Sequence, residues 1–359
     1  MHTVKIVILT FVLVTTLSAC ESLYRENIIY GDEGSVPIVY AKVETTPVAS
    51  LDDAADDPAI WYNVNNPEES LILGTDKQSG LAIYTLDGQQ KQFIPAGLPN
   101  NVDLRQGLKI DNWQGDLAAA SNRDGDVVTL FSMTATGGSM ISSFPAGLVE
   151  PYGSCMGIVS GRPVVFVTYK TGEVQAHVLK KIRLGNIEQE LIGTISFTSQ
   201  LEGCVHDDDS GTLYVGEEER GLWMTKIGIT NETFNFSPPT LIDDIVGTTG
   251  IAADIEGVAL YKNNDNSYVI ASSQGNDSYA VYKQSDQQFI GRFRIANNPA
   301  TGIDGSQETD GIEVDSRYFG DKYPEGILVV QDGYNAPVGE AQNFKIIDWR
   351  DIKKALTLH

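Results

Sequence analysis

The chain has 359 residues, with 48 acidic against 25 basic side chains and a formal charge of -23. That imbalance disfavours nucleic acid and anionic membrane surfaces as partners and suits cations. The sequence contains no His-containing zinc signature, no Gly-x-Ser-x-Gly elbow and no Cys-x5-Arg phosphatase loop, so covalent catalysis by serine or cysteine with a histidine base is not expected.

The first element is a processing segment. Lys5 precedes the apolar run IVILTFVLV, too short for a comfortable membrane span, and Leu17, Ser18, Ala19 and Cys20 close it. This reads as a lipoprotein signal over residues 1–19, with Cys20 lipidated as the mature N-terminus; the alternative is a plain signal peptide with an incidental cysteine. Either form is exported. The lipoprotein form is held in the cell envelope, facing the periplasm or the exterior, and meets a membrane only through that anchor. Residues 20–37 read as a tether, and residues 38–359 as one domain with no second domain required.

Beyond the tether, one pattern recurs six times: a short hydrophobic run, a polar turn, and an alternating strand. The copies are LILGTDKQSGLAIYTL from Leu71, LAAASNRDGDVVTLF from Leu117, VVFVTYKTGEVQAHVL from Val164, TLYVGEEERGLWMTKI from Thr212, SYVIASSQGNDSYAVYK from Ser267 and a weaker ILVVQDGYNAPVGEAQNFKIIDW from Ile327. Their spacing of about 45 to 60 residues signals four-stranded propeller blades rather than a helical solenoid. The chain is therefore expected to be all-β, a six-bladed propeller whose ring is closed by an N-terminal strand between Val36 and Val48 pairing with late strands. Blade turns converge around the axis, and theirs are polar: Asp76 and Lys77, Asn122 and Arg123, Lys170, Glu217 and Glu218, Gln274, and Asp332. A ring of blades becomes a ring of ligands.

Blocks such as DDAADD and EEER read by default as solvated acidic surface. Other carboxylates sit beside glycine or inside apolar strands, in LEGC, DIEGVAL and TDGIEV, where they repel one another unless a cation neutralises them. Oxygen-rich, histidine-poor coordination points to hard cations, above all calcium. Clustered divalent cations lower the pKa of bound water and neutralise a transferring phosphoryl group. Lys77, Arg123 and Lys170, at equivalent turns of three consecutive blades, suit phosphate oxygens. His177 stands alone, and His206 in CVHDDDSG is expected at the surface near a turn. Cys155 and Cys204 either pair, if their Cα atoms fall within about 7 Å, or stay as buried thiols.

These motifs resemble those of the β-propeller phytases, the calcium-dependent alkaline phytases of bacteria. The resemblance runs through DDAADDPAIW from Asp52, TDKQSGLAIYTLDG from Thr75, NNVDLR from Asn100, AAASNRDG from Ala118, YG at Tyr152 and EGCVHDDDSGTLYVGEEERGLW from Glu202. It continues in DIEGVALY from Asp254, ASSQGNDSYAVY from Ala271, TDGIEV from Thr309 and QNFKIIDW from Gln342, so that it covers the chain from Val43 to Trp349. It implies a calcium-lined central channel and hydrolysis of myo-inositol hexakisphosphate, the 3-phytase type of phosphoric monoester hydrolysis, with a calcium-bound water attacking phosphorus in line.

It further implies calcium ligands at Asp57, Asp103, Glu202, Glu218, Asp254, Glu256, Gln274, Asp304 and Asp310, with Glu44 and Tyr152 beside the site. Lys77, Arg123 and Lys170 would hold substrate phosphates, and with Tyr152 and Glu218 form the catalytic set. The partner is the inositol phosphate as its calcium salt, and the chain is expected to act as a monomer. Two departures stand out: Lys77 is followed by Gln78 where relatives commonly carry a second lysine, and the turn from Asn335 to Gly339 lacks a carboxylate that would support a peripheral calcium. A calcium-dependent propeller lactonase and a non-catalytic calcium-binding propeller are the alternative readings.

Overall fold

The computed structural model describes residues 36–183, 186–230, 233–263, 266–335 and 341–358. The expected signal peptide, Cys20 and nearly all of the tether lie outside the described residues, as does most of the turn from Asn335 to Gly339.

The described strands form six antiparallel sheets arranged as blades. Blade 1 contains Ala55–Trp61, Leu71–Asp76, Gly80–Thr85 and Gln90–Pro95; blade 2 contains Pro99–Ile110, Trp113–Asn122, Val127–Thr134 and Gly137–Pro145. Blade 3 contains Pro151–Val159, Arg162–Tyr169, Glu173–Arg183 and Asn186–Ser196. Blade 4 has Leu201–Asp207, Thr212–Glu217 and Gly221–Thr230, with its outer edge shared by Thr233–Phe236 and Thr240–Asp244. Blade 5 is Ile255–Lys262, Ser267–Ser273, Ser278–Lys283 and Phe289–Ile295, and blade 6 is Ile312–Asp315, Ile327–Asp332 and Asn343–Asp348. Each recurring sequence copy is the middle hairpin of one blade.

The first strands of successive blades touch in a full circuit, the sixth returning to the first. The N-terminus supplies the expected closure. Val43–Glu44 pairs antiparallel with Asn343–Asp348 and becomes the fourth strand of blade 6, while Ile38–Val39 adds to the outer edge of blade 5 in parallel with Phe289–Ile295. A closed ring leaves no long unpaired inner edge.

Burial explains why the middle strands read as nearly continuous apolar runs. Both faces of each blade are covered by neighbours, and a separate hydrophobic cluster fills each of the six seams. The seam between blades 3 and 4 also carries the Cys155–Cys204 disulfide, with a Cα separation of 5.6 Å. Close approach there demands glycine: a Cβ on Gly153 would lie 1.9 Å from the Glu202 carbonyl oxygen. The helix Trp349–Ala355, capped by Asp348, packs Trp349 and Ile352 onto the blade 5 and 6 cluster.

Candidate active site

The turn of each middle hairpin lies on the same face as the start of the innermost strand, because the end of the second strand pairs with the start of the first, as Asp76 does with Ala55. At this turn, successive residues part company. Asp76 accepts the Ser50 and Gln78 amides, Asn122 donates to the Ala96 carbonyl, and Glu217 Oε1 accepts from the backbone and hydroxyls of Thr198 and Ser199. Tyr169 and Ser273 bond to Ala146 and Ala252. All these residues are buried staples. Lys77, Glu218 and Gln274, one position later, line a shared cleft of about 460 Å3 at the channel mouth, joined by Gly333 in blade 6.

Innermost strands bring the acids. Glu202 and Glu256 are the second residues of the first strands of blades 4 and 5, and Asp310 lies two residues before blade 6. Glu202, Glu218 and Glu256 are buried and offer one carboxylate oxygen each, all within 4.8 Å of one another. Burial holds the Glu202 and Glu256 carboxyls well above the usual range, with repulsion from Asp56 adding to it at Glu202 and repulsion from Glu202 adding to it at Glu256. Burial, with Asp254 adding to it, pushes Glu218 up to about 7 even though Gln200 donates to its Oε1 at 2.6 Å. Asp310 is pushed up to about 8 by burial and Asp56, opposed by Lys77. Asp254 and Gln274 line the same cleft, and Gln274 donates to Asp310.

The basic residues flank these acids. Lys77 Nζ lies 2.7 Å from Asp53, 3.2 Å from Asp56 and 3.5 Å from Asp310. Lys170 Nζ stands 4.2 Å from the centroid of the Tyr152 ring, which itself lines the cleft. Arg123 donates from Nη2 to the Lys77 carbonyl at 3.0 Å. Burial and the nearby Glu202 carboxylate raise the Tyr152 phenol far above its ordinary value, so it stays protonated.

Five acids and one histidine sit differently from the expectation. Asp57 and Asp103 act between blades: Asp57 Oδ2 accepts the Val102 amide of blade 2 at 2.9 Å, and Asp103 Oδ2 accepts the Met156 amide of blade 3 at 2.8 Å and pairs with Arg105. Glu44 and Asp304 converge on the Lys345 ammonium, whose side chain is completely buried, and Asp332 joins them at 3.1 Å. Asp332 therefore faces this closure cluster, not the cleft. His206 is buried, stacked on Phe166 and bonded to Asp208, because its alternate position on the innermost strand points into the seam. Two buried groups went unmarked in the sequence: Asp56, beside Lys77, and Asn100, whose Nδ2 donates to Glu202 at 2.8 Å.

Glu256 Oε2 and Asn100 Oδ1 are buried without a hydrogen-bond partner, and the buried Asp56 Oδ2 faces the Lys77 ammonium at 3.2 Å. Orphaned buried oxygens beside a carboxylate triad are the donor set of a hard cation, so the residues fit calcium. Fold and site together define a six-bladed propeller with a carboxylate cage at one channel mouth, flanked by lysine and arginine.

The sequence profile of the phytase family matches residues 5–358. The 3-phytase of Bacillus subtilis (strain 168) is 38% identical over 336 residues, covering 89% of this chain and 85% of that protein. The chain belongs to the phytase family. Among solved structures, the Cps50 (Swd1) β-propeller domain of Myceliophteria thermophila has a TM-score of 0.46 at 11% identity, over 82% of this chain and 83% of that one. A functionally unknown protein from Desulfotomaculum acetoxidans has a TM-score of 0.45 at 15% identity, over 68% and 72%. Neither likeness bears on the site.

Proposed function

We propose that the cleft releases phosphate from myo-inositol hexakisphosphate in a calcium-dependent reaction. The observation that carries this reading is the juxtaposition of three buried carboxylates within 4.8 Å with Lys77 in the wall of the same cleft, backed by Arg123 on the Lys77 carbonyl and Lys170 over the Tyr152 ring. In a protein of charge -23, a polyanionic substrate needs such a local reversal of sign. A lactone would have no use for three cations around one cleft.

Glu202, Glu218, Glu256, Asp254, Asp310, Gln274 and Asp56 would hold the calcium ions. When bound, calcium supplies charge neutralisation at phosphoryl oxygens and acidifies water. The chain's own groups do the rest. Lys77 and Lys170 bind phosphate oxygens as point charges, and Arg123 adds a planar fork. Tyr152, kept protonated, donates from its hydroxyl. Burial of the cage excludes bulk water and strengthens each of these contacts.

Phosphate release from calcium phytate, measured with and without chelator, tests the reading. Release that survives full chelation sinks it. We further propose export with a lipid at Cys20, a tether to residue 37 and a monomeric propeller beyond. This rests on Lys5, the apolar run and the residues that close it. Metabolic labelling with a clickable fatty acid should mark the wild type and not Cys20→Ser.

A further inference from the structure

The ring closes between blades 6 and 1, and the site straddles that seam. Asp53 and Asp56 come from the loop and strand of blade 1, Asp310 from the entry to blade 6, and Lys77 bridges all three. Like charges on two separate backbone segments push those segments apart. Some neutral group must hold them in register.

Gln331 meets that requirement. Its side chain is completely buried, with Oε1 accepting the Asp310 amide at 2.9 Å and Nε2 donating to the Ala55 carbonyl at 3.2 Å. One amide thus ties the backbone of the blade 6 acid to the residue preceding the blade 1 acid. Gln342 completes the clamp: its Oε1 accepts the Ala54 and Ala55 amides at 2.7 and 2.8 Å, and its Nε2 donates to the Gly333 carbonyl at 3.1 Å. The remaining polar group of this dipeptide, the Ala54 carbonyl, accepts the Lys77 amide at 2.7 Å. The two backbones are in contact as well. Gly311 donates to the Asp56 carbonyl at 3.1 Å, and a Cβ on Gly311 would lie 2.1 Å from Asp57 Oδ1.

We propose that Gln331 is a positioning residue for the calcium site, setting the spacing between Asp56 and Asp310 across the closing seam; this rests on the calcium reading above. It reaches the wall of the cleft, but both ends of its amide are committed to backbone groups. An amide suits the task because it offers one donor and one acceptor and adds no charge to a crowded acidic site. A carboxylate or an ammonium there would satisfy only one of the two backbone groups.

The test compares Gln331→Met and Gln331→Asn with Leu328→Ala in the full chain. Leu328 is buried in the cluster on the far side of the same blade and touches no part of the clamp. Calcium binding is followed by calorimetry, and phosphate release from phytate is titrated against calcium. Gln331→Met, which keeps length but loses both hydrogen bonds, should raise the calcium needed for half-maximal release at least tenfold, equivalent to about 1.4 kcal/mol. Activity at saturating calcium should be largely recovered. Gln331→Asn, one methylene too short to span both groups, should shift the same way and decides the matter if Gln331→Met does not fold. Leu328→Ala should lower Tm with no change in calcium requirement. Calcium titrations of the Gln331 variants that superimpose on wild type, or an equal shift in Leu328→Ala, overturn the proposal. Wild-type release that ignores calcium defeats the functional reading instead, and calorimetric calcium binding then decides the role of Gln331 alone.

Discussion

Neutralising one carboxylate of the cage should stabilise the metal-free protein and weaken the metal-bound one. Glu218 is the informative position: burial first, and Asp254 next, push its carboxyl from 4.5 to about 7, and the residue is only 7% exposed. A raised carboxyl pKa in the folded state means that folding is favoured when the group is protonated. Stability contributed by this group is therefore fully present below about pH 4.5 and is lost as pH rises to about 7. At about 1.4 kcal/mol per pKa unit, the ionised side chain costs about 3 kcal/mol at pH 8. Glu218→Gln removes that cost and keeps an oxygen to accept from Gln200. In chelator at pH 8, the variant should melt about 5 °C above wild type. The gap should close near pH 4.5, and calcium at pH 8 should reverse its sign, because the wild type then gains more from metal binding. Scanning fluorimetry over pH, with and without calcium, provides the measurement. A chelated variant that melts below wild type at pH 8 refutes the picture of a strained, cation-seeking cage.

Chelation of the wild type near neutral pH should abolish phosphate release and lower Tm together, since ions bound only by the native state stabilise by mass action; an unchanged Tm in excess chelator counts against this. Lys77→Ala should cost both activity and metal-free stability, about 3 kcal/mol by urea titration, because it leaves Asp53, Asp56 and Asp310 without their ammonium. Arg123→Ala should lose activity with a much smaller stability change, and equal stability losses in the two variants would show that Lys77 is not the buried counter-charge. Lys345→Met should lose about 3–5 kcal/mol at neutral pH, as Asp304 and Asp332 remain buried together beside the half-exposed Glu44; a loss below about 1 kcal/mol would mean that this cluster does not hold the closure.

Blade number and ring closure were legible because both faces of every blade are covered, so each middle hairpin writes a long apolar run broken by one polar turn. The cage acids were legible from glycine-flanked carboxylates, as in Glu202 and Glu256. What the sequence blurred was which of two neighbouring polar residues faces the cleft. Asp56 and Asp57 are adjacent, and a one-residue change of register exchanges cleft for seam; only the structure shows Asp57 committed to the Val102 amide and Asp56 beside Lys77. The same ambiguity placed Asp332 in the ring of ligands. Lys345 is a lysine within a strand, which reads as a solvated tip until three carboxylates, two of them buried, surround it. Gln331 and Gln342 fall in the sixth recurring copy, and Gln342 opens the QNFKIIDW motif, yet both are uncharged and nothing in the chain marks them as a clamp.

The closing seam also sets when the site can exist. Gln342 and Ala54 are 288 positions apart, and Gln331 and Ala55 are 276 apart, so their hydrogen bonds cannot form until almost the whole chain has been made. A growing chain is synthesised from its N-terminus at about 5–20 residues per second, and here the acids of the first blade emerge long before their partners. Asp56 and Asp310 therefore meet only as the last event of assembly. An unfinished molecule holds the Glu202, Glu218 and Glu256 carboxylates but lacks the Asp56–Asp310 pair, so the full acidic set marks a ring that has been completed.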